Sequence, residues 1–243
     1  MKTAVVIPAR YKSSRFPGKP LYLINEKPLI LHVVSKISKC KFVDFVAVAT
    51  DDNRIYNTVK NAGYNVFMTP STLKSGTDRV AFVAKNFLTK YNVFINVQGD
   101  EPLIDKNLVK KIVKEFKKDK KLEYLTVAYK MKSTDDYVNP NTVKVVFDKN
   151  MYALYFSRFP IPFVRDTKNK AQYYKHIGIY GYTRKFICEF TKTKQTNLEV
   201  AESLEQLRAL EQGKKIKIVI SKKDLQDVNV LEDIKKVKEI LSK

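Results

Sequence analysis

Three short runs of branched apolar residues do most to constrain the fold: AVVIP at 4–8, FVAVAT at 45–50 and VFINVQ at 93–98. Between the first two, Leu29, Ile30, Val33, Val34 and Ile37 recur at helical spacing and predict one buried helix face. Strands that are apolar throughout are covered on both faces. The alternation therefore predicts an α/β fold with a mainly parallel central sheet flanked by helices. Further helices are expected at about 52–62, 77–88 and 105–118, with Asp105 capping the last.

From about 122 to 182 the pattern turns to strand-like pieces, LTVAYKM, TVKVVFD, MYALYFS and IGIYGYT, joined by polar turns. This block predicts an antiparallel or mixed-sheet insertion within one domain spanning 1–243, and its exposed face could pair two subunits. An amphipathic helix at 199–211, a strand at IKIVI and a last helix at 231–241 complete the expectation.

A chain of 243 residues that is 44% hydrophobic can bury a sizeable core. No apolar run reaches membrane-span length, and Met1-Lys2 leads straight into a strand-like segment, so a cytoplasmic chain with no membrane association is expected. Cys40 and Cys188 stand far apart and outside any CxxC pattern, which argues against a disulfide framework or zinc site. The net charge of +21 raises nucleic acid as a partner. Only 8 of the 46 basic residues are Arg, however, and the lysines scatter over presumed helix faces, so no nucleic-acid groove is predicted.

The first strand runs into PARYKSSRFPGKP, residues 8–20. Loops at the carboxyl ends of parallel strands form the ligand crevice of open α/β sheets. Here Gly18 allows close backbone approach, Ser13 and Ser14 offer donors, and Arg10, Arg15 and Lys19 bring positive charge, a combination that suits a polyphosphate. The loop lacks both GxxxxGK[ST] and GxGxxG, and alone it reads equally as a solvated basic turn. In VFINVQGDEPLI, Asp100 follows Gly99 at a strand end and could hold magnesium with substrate phosphates, or simply cap a turn.

Together PARYKSSRFPGKPL, ATDD at 49–52, SGTDR at 75–79, NVQGDEP at 96–102, YALYFSRFPIP at 152–162, KHIGIYGY at 175–182 and ESLEQLRAL at 202–210 resemble the 3-deoxy-manno-octulosonate (Kdo) cytidylyltransferases, the CMP-Kdo synthetases. The resemblance implies a Rossmann-like nucleotidyltransferase fold with a strand-rich dimerisation extension, a homodimer, and a Mg2+-dependent reaction of CTP with Kdo in lipopolysaccharide or capsule synthesis. It places the nucleotide on Ala9, Arg10, Ser13, Arg15, Lys19, Ala49, Thr50, Asp51, Ser75, Gly76, Thr77, Asp78 and Arg79. Gln98 would stand between nucleotide and sugar, with Arg158, His176, Tyr180, Glu205 and Gln206 around the sugar acid. Arg10, Arg15, Lys19 and Asp100 would carry the chemistry, Asp100 as a metal ligand. The other histidine, His32, sits among apolar residues and reads as structural.

One position departs from the pattern. The family's VDTPEDL-like segment, whose Asp supplies a second metal contact, corresponds here to Val228-Asn229-Val230-Leu231-Glu232-Asp233-Ile234. Asn229 takes the place of that Asp and brings no charge, while Asp227 is a candidate substitute. The departure leaves open CMP transfer to a related acid, such as 8-amino-Kdo, another sugar acid or a phosphonate, or a weakened enzyme kept as a nucleotide-binding partner.

Overall fold

β1 (Thr3–Ala9) is buried at all seven positions, as its unbroken apolar sequence requires. In the computed structural model the protein is described over residues 1–12, 16–132, 135–166, 168, 171–225, 227–228 and 231–241. Ser13, Arg15 and Asn229, named above as site candidates, lie outside the described residues. The chain divides into two compact units, one of residues 1–120, 181–191 and 225–243 and the other of 121–180 and 192–224.

In the first unit β1 is followed by β2 (Leu23–Ile24), β3 (Lys27–Pro28), α1 (Leu29–Ser38), β4 (Phe45–Thr50), α2 (Asn53–Asn61), β5 (Val66–Met68), α3 (Gly76–Asn86), β6 (Val93–Asn96) and α4 (Lys106–Lys118). β1 pairs in parallel with β4 on one side and β6 on the other, and β4 pairs in parallel with β5. The apolar stripe of α1 is wholly buried, as its spacing predicts. The starts of α2, α3 and α4 each have their own polar device. Asp52 accepts from the Arg54 amide and Asp105 from that of Asn107, while Ser75 and Asp78 form a reciprocal capping box on α3.

The second unit contains β7 (Tyr124–Lys130), the short α5 (Asp135–Val138), β8 (Lys144–Phe147), β9 (Ala153–Ser157) and most of β10 (Tyr174–Thr183). After α6 (Arg184–Phe190), in the first unit, come α7 (Asn197–Glu202), α8 (Gln206–Glu211) and β11 (Lys217–Ser221). α9 (Leu231–Leu241) closes the first unit. β8 lies antiparallel to both β9 and β10, and β11 runs parallel to β7, so the block is strand-rich and mixed as expected. Lys144 at the head of β8 is fully buried, its ammonium donating to the carbonyls of Asn139 (3.1 Å), Thr142 (2.6 Å) and Arg158.

The single helix expected at 199–211 is instead two, broken at Ser203, whose φ of 51° is left-handed. The cause is a buried ion pair. Arg208 grips Glu199 through two bonds of 2.7 and 2.6 Å. In one straight helix residues nine apart lie about 2.5 turns apart, on opposite faces, and could not meet.

In the first unit, Val228, Ile234 and Val237 pack with Ile24 and Leu29 in one core cluster, against which Phe16 and Leu103 lie. This anchors the segment around Val228 beside the loop that follows β6. His32 is structural as expected, its Nε2 lying 2.8 Å from the Ile24 carbonyl oxygen. Both cysteines are free thiols.

Candidate active site

The parallel registers align Ala9 with Thr50 and Val6 with Asn96, so the segments leaving β1, β4 and β6 emerge along one edge. At that edge a cavity of about 340 Å³ is lined by Arg10, Lys12 and Lys19 from the first loop, Gly76 from the start of α3, and Gln98, Gly99 and Asp100 from the loop after β6. Pro8, Ala9 and Pro20 complete it. The basic turn and the Asp100 carboxylate thus meet in one crevice. The lining carries three cationic side chains and one anionic one, a formal excess of +2.

Gly99 makes this approach possible. A Cβ there would lie 2.9 Å from the Pro8 carbonyl oxygen and 3.3 Å from Ile30 Cδ1, so only a residue without a side chain lets the loop after β6 close against the end of β1. Asp100 pairs with Lys19, and Lys19 Nζ also donates to the Val228 carbonyl at 2.7 Å. The Val228 amide in turn donates to the Asp100 carbonyl at 2.9 Å. Two oxygens, one from Asp100 and one from Val228, therefore converge on one cationic atom, and the backbone bond holds half-buried Asp227 in the adjoining segment.

Arg10 donates to the Lys74 carbonyl and ties the basic turn to the segment before α3. There Ser75 and Asp78 spend their side chains on each other's backbone amides, at 2.9 and 3.0 Å. Ala49, Thr50, Thr77 and Arg79, which the resemblance sets against the nucleotide, are buried to 4% exposure or less. Arg79 acts through its partners, donating to Asp51 at 2.9 Å and to the Thr69 hydroxyl. Burial pulls its pKa down from the ordinary value, and Asp51 pulls the other way. Asp51 keeps part of its surface exposed. Lys12, Pro8, Pro20 and Gly99 were not singled out as site residues. The signal for Lys12 was present, because residues two apart on extended chain share a side, and Arg10 was already a candidate.

Of the sugar-acid candidates, Gln98 belongs to the first unit and Arg158, His176, Tyr180, Glu205 and Gln206 to the second. Arg158 donates from Nε to the Glu202 carbonyl (2.7 Å) and from its terminal nitrogens to the carbonyls of Pro140 (3.0 Å) and Ser203 (3.4 Å). Glu202 holds the same turn through its carboxylate, accepting from the Arg158 amide (2.8 Å) and the Ser157 hydroxyl (2.6 Å). Three of the five guanidinium donors are thereby engaged with backbone, so Arg158 is first a brace for its own loop.

His176 Nε2 lies 2.9 Å from the Thr126 hydroxyl, whose single proton is directed to the Ile179 carbonyl, also at 2.9 Å. That leaves Nε2 as the donor and Nδ1 as an acceptor. Phe156 and Tyr180 pack against the ring, and desolvation pushes its pKa down to about 3. His176 is therefore a neutral hydrogen bonder at physiological pH. Gln206, which the resemblance sets beside the sugar acid, is 2% exposed, and its carboxamide Nε2 has no partner among the described residues. Glu205 beside it is half-buried.

Comparison with known proteins adds to this geometry. The profile of the family described as cytidylyltransferase matches residues 4–216. The chain is similar to 3-deoxy-manno-octulosonate cytidylyltransferase of Thermodesulfovibrio yellowstonii, 46% identical with 100% of this chain and 99% of the relative covered. It is also similar to 8-amino-3,8-dideoxy-manno-octulosonate cytidylyltransferase of Shewanella frigidimarina, 47% identical over 97% of each chain. A solved CMP:2-keto-3-deoxy-manno-octonic acid synthetase complexed with CTP superimposes with a TM-score of 0.94 at 38% identity, covering 100% of this chain and 99% of that one.

Proposed function

This chain belongs to the cytidylyltransferase family, and from that membership we propose that it transfers CMP from CTP to the anomeric hydroxyl of Kdo, with release of pyrophosphate. The observation that carries the reading is the convergence of Arg10, Lys12, Lys19 and Asp100 on one crevice at the ends of parallel strands. The hydroxyl oxygen bonds to the α-phosphorus as the bond to pyrophosphate breaks, and the hydroxyl proton is released. Such a reaction needs alignment and charge neutralisation rather than a covalent nucleophile. Arg10, Lys12 and Lys19 bind the triphosphate and stabilise the charge that collects on the departing pyrophosphate. Arg15 and Ser13, in the same turn, are assigned to the same subsite by resemblance.

The lining's excess of +2 falls short of a fully ionised triphosphate, and a divalent cation would make up the difference. The donor chemistry fits magnesium, which takes hard oxygen ligands and is commonly held by one or two carboxylates with substrate phosphates. Asp100 would hold it, with Asp227 or Asn229 adjoining. The ion supplies Lewis-acid polarisation and charge neutralisation at the phosphates.

Gln206, with a buried and unsatisfied donor, and neutral His176, with Nδ1 as an acceptor, support recognition of a polyhydroxylated acid. Arg158, Tyr180, Glu205 and Gln98 are assigned to that recognition by resemblance. Val138, Leu154, Phe159 and Phe163 are exposed apolar residues of the second unit, and they support dimer formation through this block. No helix among the described residues is long and apolar enough to cross a membrane. We place the reaction in the cytoplasm, the compartment of CTP.

Pyrophosphate release tests the reading. It should require CTP, Mg2+ and Kdo together, and 8-amino-Kdo should be run beside Kdo because relatives of near-equal identity are named for each acid. Release with 8-amino-Kdo alone would reassign the acceptor. Silence with every acid, alongside salt-sensitive retention of RNA or DNA, would overturn the enzyme reading.

A further inference from the structure

Arg10 and Lys12 both line the cavity, and Tyr11 stands between them. Its ring lies under the Arg54 guanidinium, whose central carbon is 3.3 Å from the ring centroid. Arg54 is held flat by a two-pronged bond to Asp52, from Nε to Oδ1 at 3.0 Å and from Nη2 to Oδ2 at 2.7 Å. Asp52 is itself fixed, because Oδ1 also caps α2 through the Arg54 amide at 2.9 Å. The stack therefore fastens the turn after β1 to the rigid start of α2.

The same tyrosine also touches the far limb of the turn. Its carbonyl accepts from the Gly18 amide at 2.9 Å, and Gly18 sits at φ +73°, where a Cβ would meet the Tyr11 ring and hydroxyl at 3.1–3.2 Å. Gly18 leads directly into Lys19, the third cation of the cavity and the partner of Asp100. One aromatic side chain thus stands next to every described cation of the crevice: between Arg10 and Lys12 in sequence, and against the residue before Lys19.

We propose that Tyr11, Arg54 and Asp52 form a latch that sets the spacing of the phosphate-binding cations, acting as positioning residues that do not themselves touch the nucleotide. The proposal rests on the triphosphate reading of this crevice. Its consequence is selective: loosening the latch should weaken the hold on a phosphate chain and leave the sugar acid alone.

Titration calorimetry with CTP, and separately with inorganic tripolyphosphate, tests the latch in the full-length protein. Tripolyphosphate reports on the crevice whichever acid is the acceptor, so failure of the latch can be told from failure of the acceptor assignment. Arg54→Ala and Tyr11→Leu are each expected to weaken both ligands on the order of 3- to 10-fold, the range for an exposed cation–π contact plus some loss of order. Asp52→Asn keeps an oxygen for the helix cap but breaks the fork, and should give a smaller loss of the same kind. The double variant should lose little more than either single one, because both break one unit. Tyr11→Phe keeps the ring and should recover most of the affinity lost in Tyr11→Leu. In turnover, KM for CTP should rise while KM for the sugar acid stays within twofold. Unchanged tripolyphosphate affinity, fully multiplicative losses in the double variant, or equal damage to both substrates would each overturn the proposal.

Discussion

Replacing Gly99 by alanine puts the geometry of the crevice to a quantitative test. The new methyl would lie 2.9 Å from the Pro8 carbonyl oxygen and 3.3 Å from Ile30 Cδ1. Unstrained carbon–oxygen contacts sit near 3.3–3.6 Å, so the loop after β6 or the end of β1 must retreat by about 0.5 Å. The obstacle is backbone, which cannot swing aside as a side chain can. Overpacking of this kind costs ~1–3 kcal/mol of stability. Asp100 is the next residue, and a misplacement of about 1 Å can cost ~100-fold in rate, so half of that predicts roughly tenfold in kcat/KM. Urea denaturation and steady-state pyrophosphate release measure the two quantities. Gly76→Ala is the graded comparison, because its tightest contact would be with the Pro8 side chain at 3.2 Å and it should cost less on both counts. Gly63→Ala meets nothing within 4 Å but keeps a φ of +78°, so it should lose ~1–2 kcal/mol of stability and no activity. A Gly99→Ala protein as active as Gly63→Ala would refute the claim that close approach of the loop after β6 to the end of β1 positions Asp100.

Lys19→Met removes a cavity cation and strips Asp100 of its partner, so kcat/KM for CTP should fall on the order of 100-fold or more, and a fall under fivefold would remove Lys19 from the phosphate subsite. Glu199→Gln leaves Arg208 buried without its counter-charge and should cost ~3–5 kcal/mol in chemical denaturation, the range for breaking one side of a buried pair; a loss below ~1 kcal/mol would contradict the account of the helix break. His176 is held neutral in the fold, with a pKa near 3, while the unfolded chain takes up its proton near pH 6.5. Stability should therefore fall as pH drops from about 6.5 toward 3, and the wild-type slope should be visibly steeper than that of His176→Gln in denaturation curves taken across this window.

Much of this architecture was legible because burial on both faces leaves a plain mark. β1 and β6 read as continuous apolar runs, as strands covered on two sides must, and Asp105 announced the start of α4. The meeting of the basic turn with Asp100 was legible for the same reason, since parallel strands deliver their following loops to one edge. Periodicity failed where a long-range polar contact sets the backbone. Val200, Leu204 and Leu207 fall at helical spacing, and nothing local reveals that Glu199 turns inward to Arg208 and breaks the helix at Ser203. Arg79, which the resemblance places by the nucleotide, is buried with its bonds to Asp51 and the Thr69 hydroxyl, an arrangement that residue type does not reveal. The enclosure of Gln206, which the resemblance sets beside the sugar acid, was not legible from helix periodicity either.

The enclosure of Lys144 has a practical corollary. The protein carries 38 lysines, and this one has no exposed surface, its amine being sealed among three carbonyls. An acylating reagent that decorates surface amines will pass over it for as long as the second unit stays closed. Modification at position 144, read by peptide mass spectrometry, then becomes an intrinsic clock for opening of that unit, with neighbouring lysines on the same peptides as the internal standard.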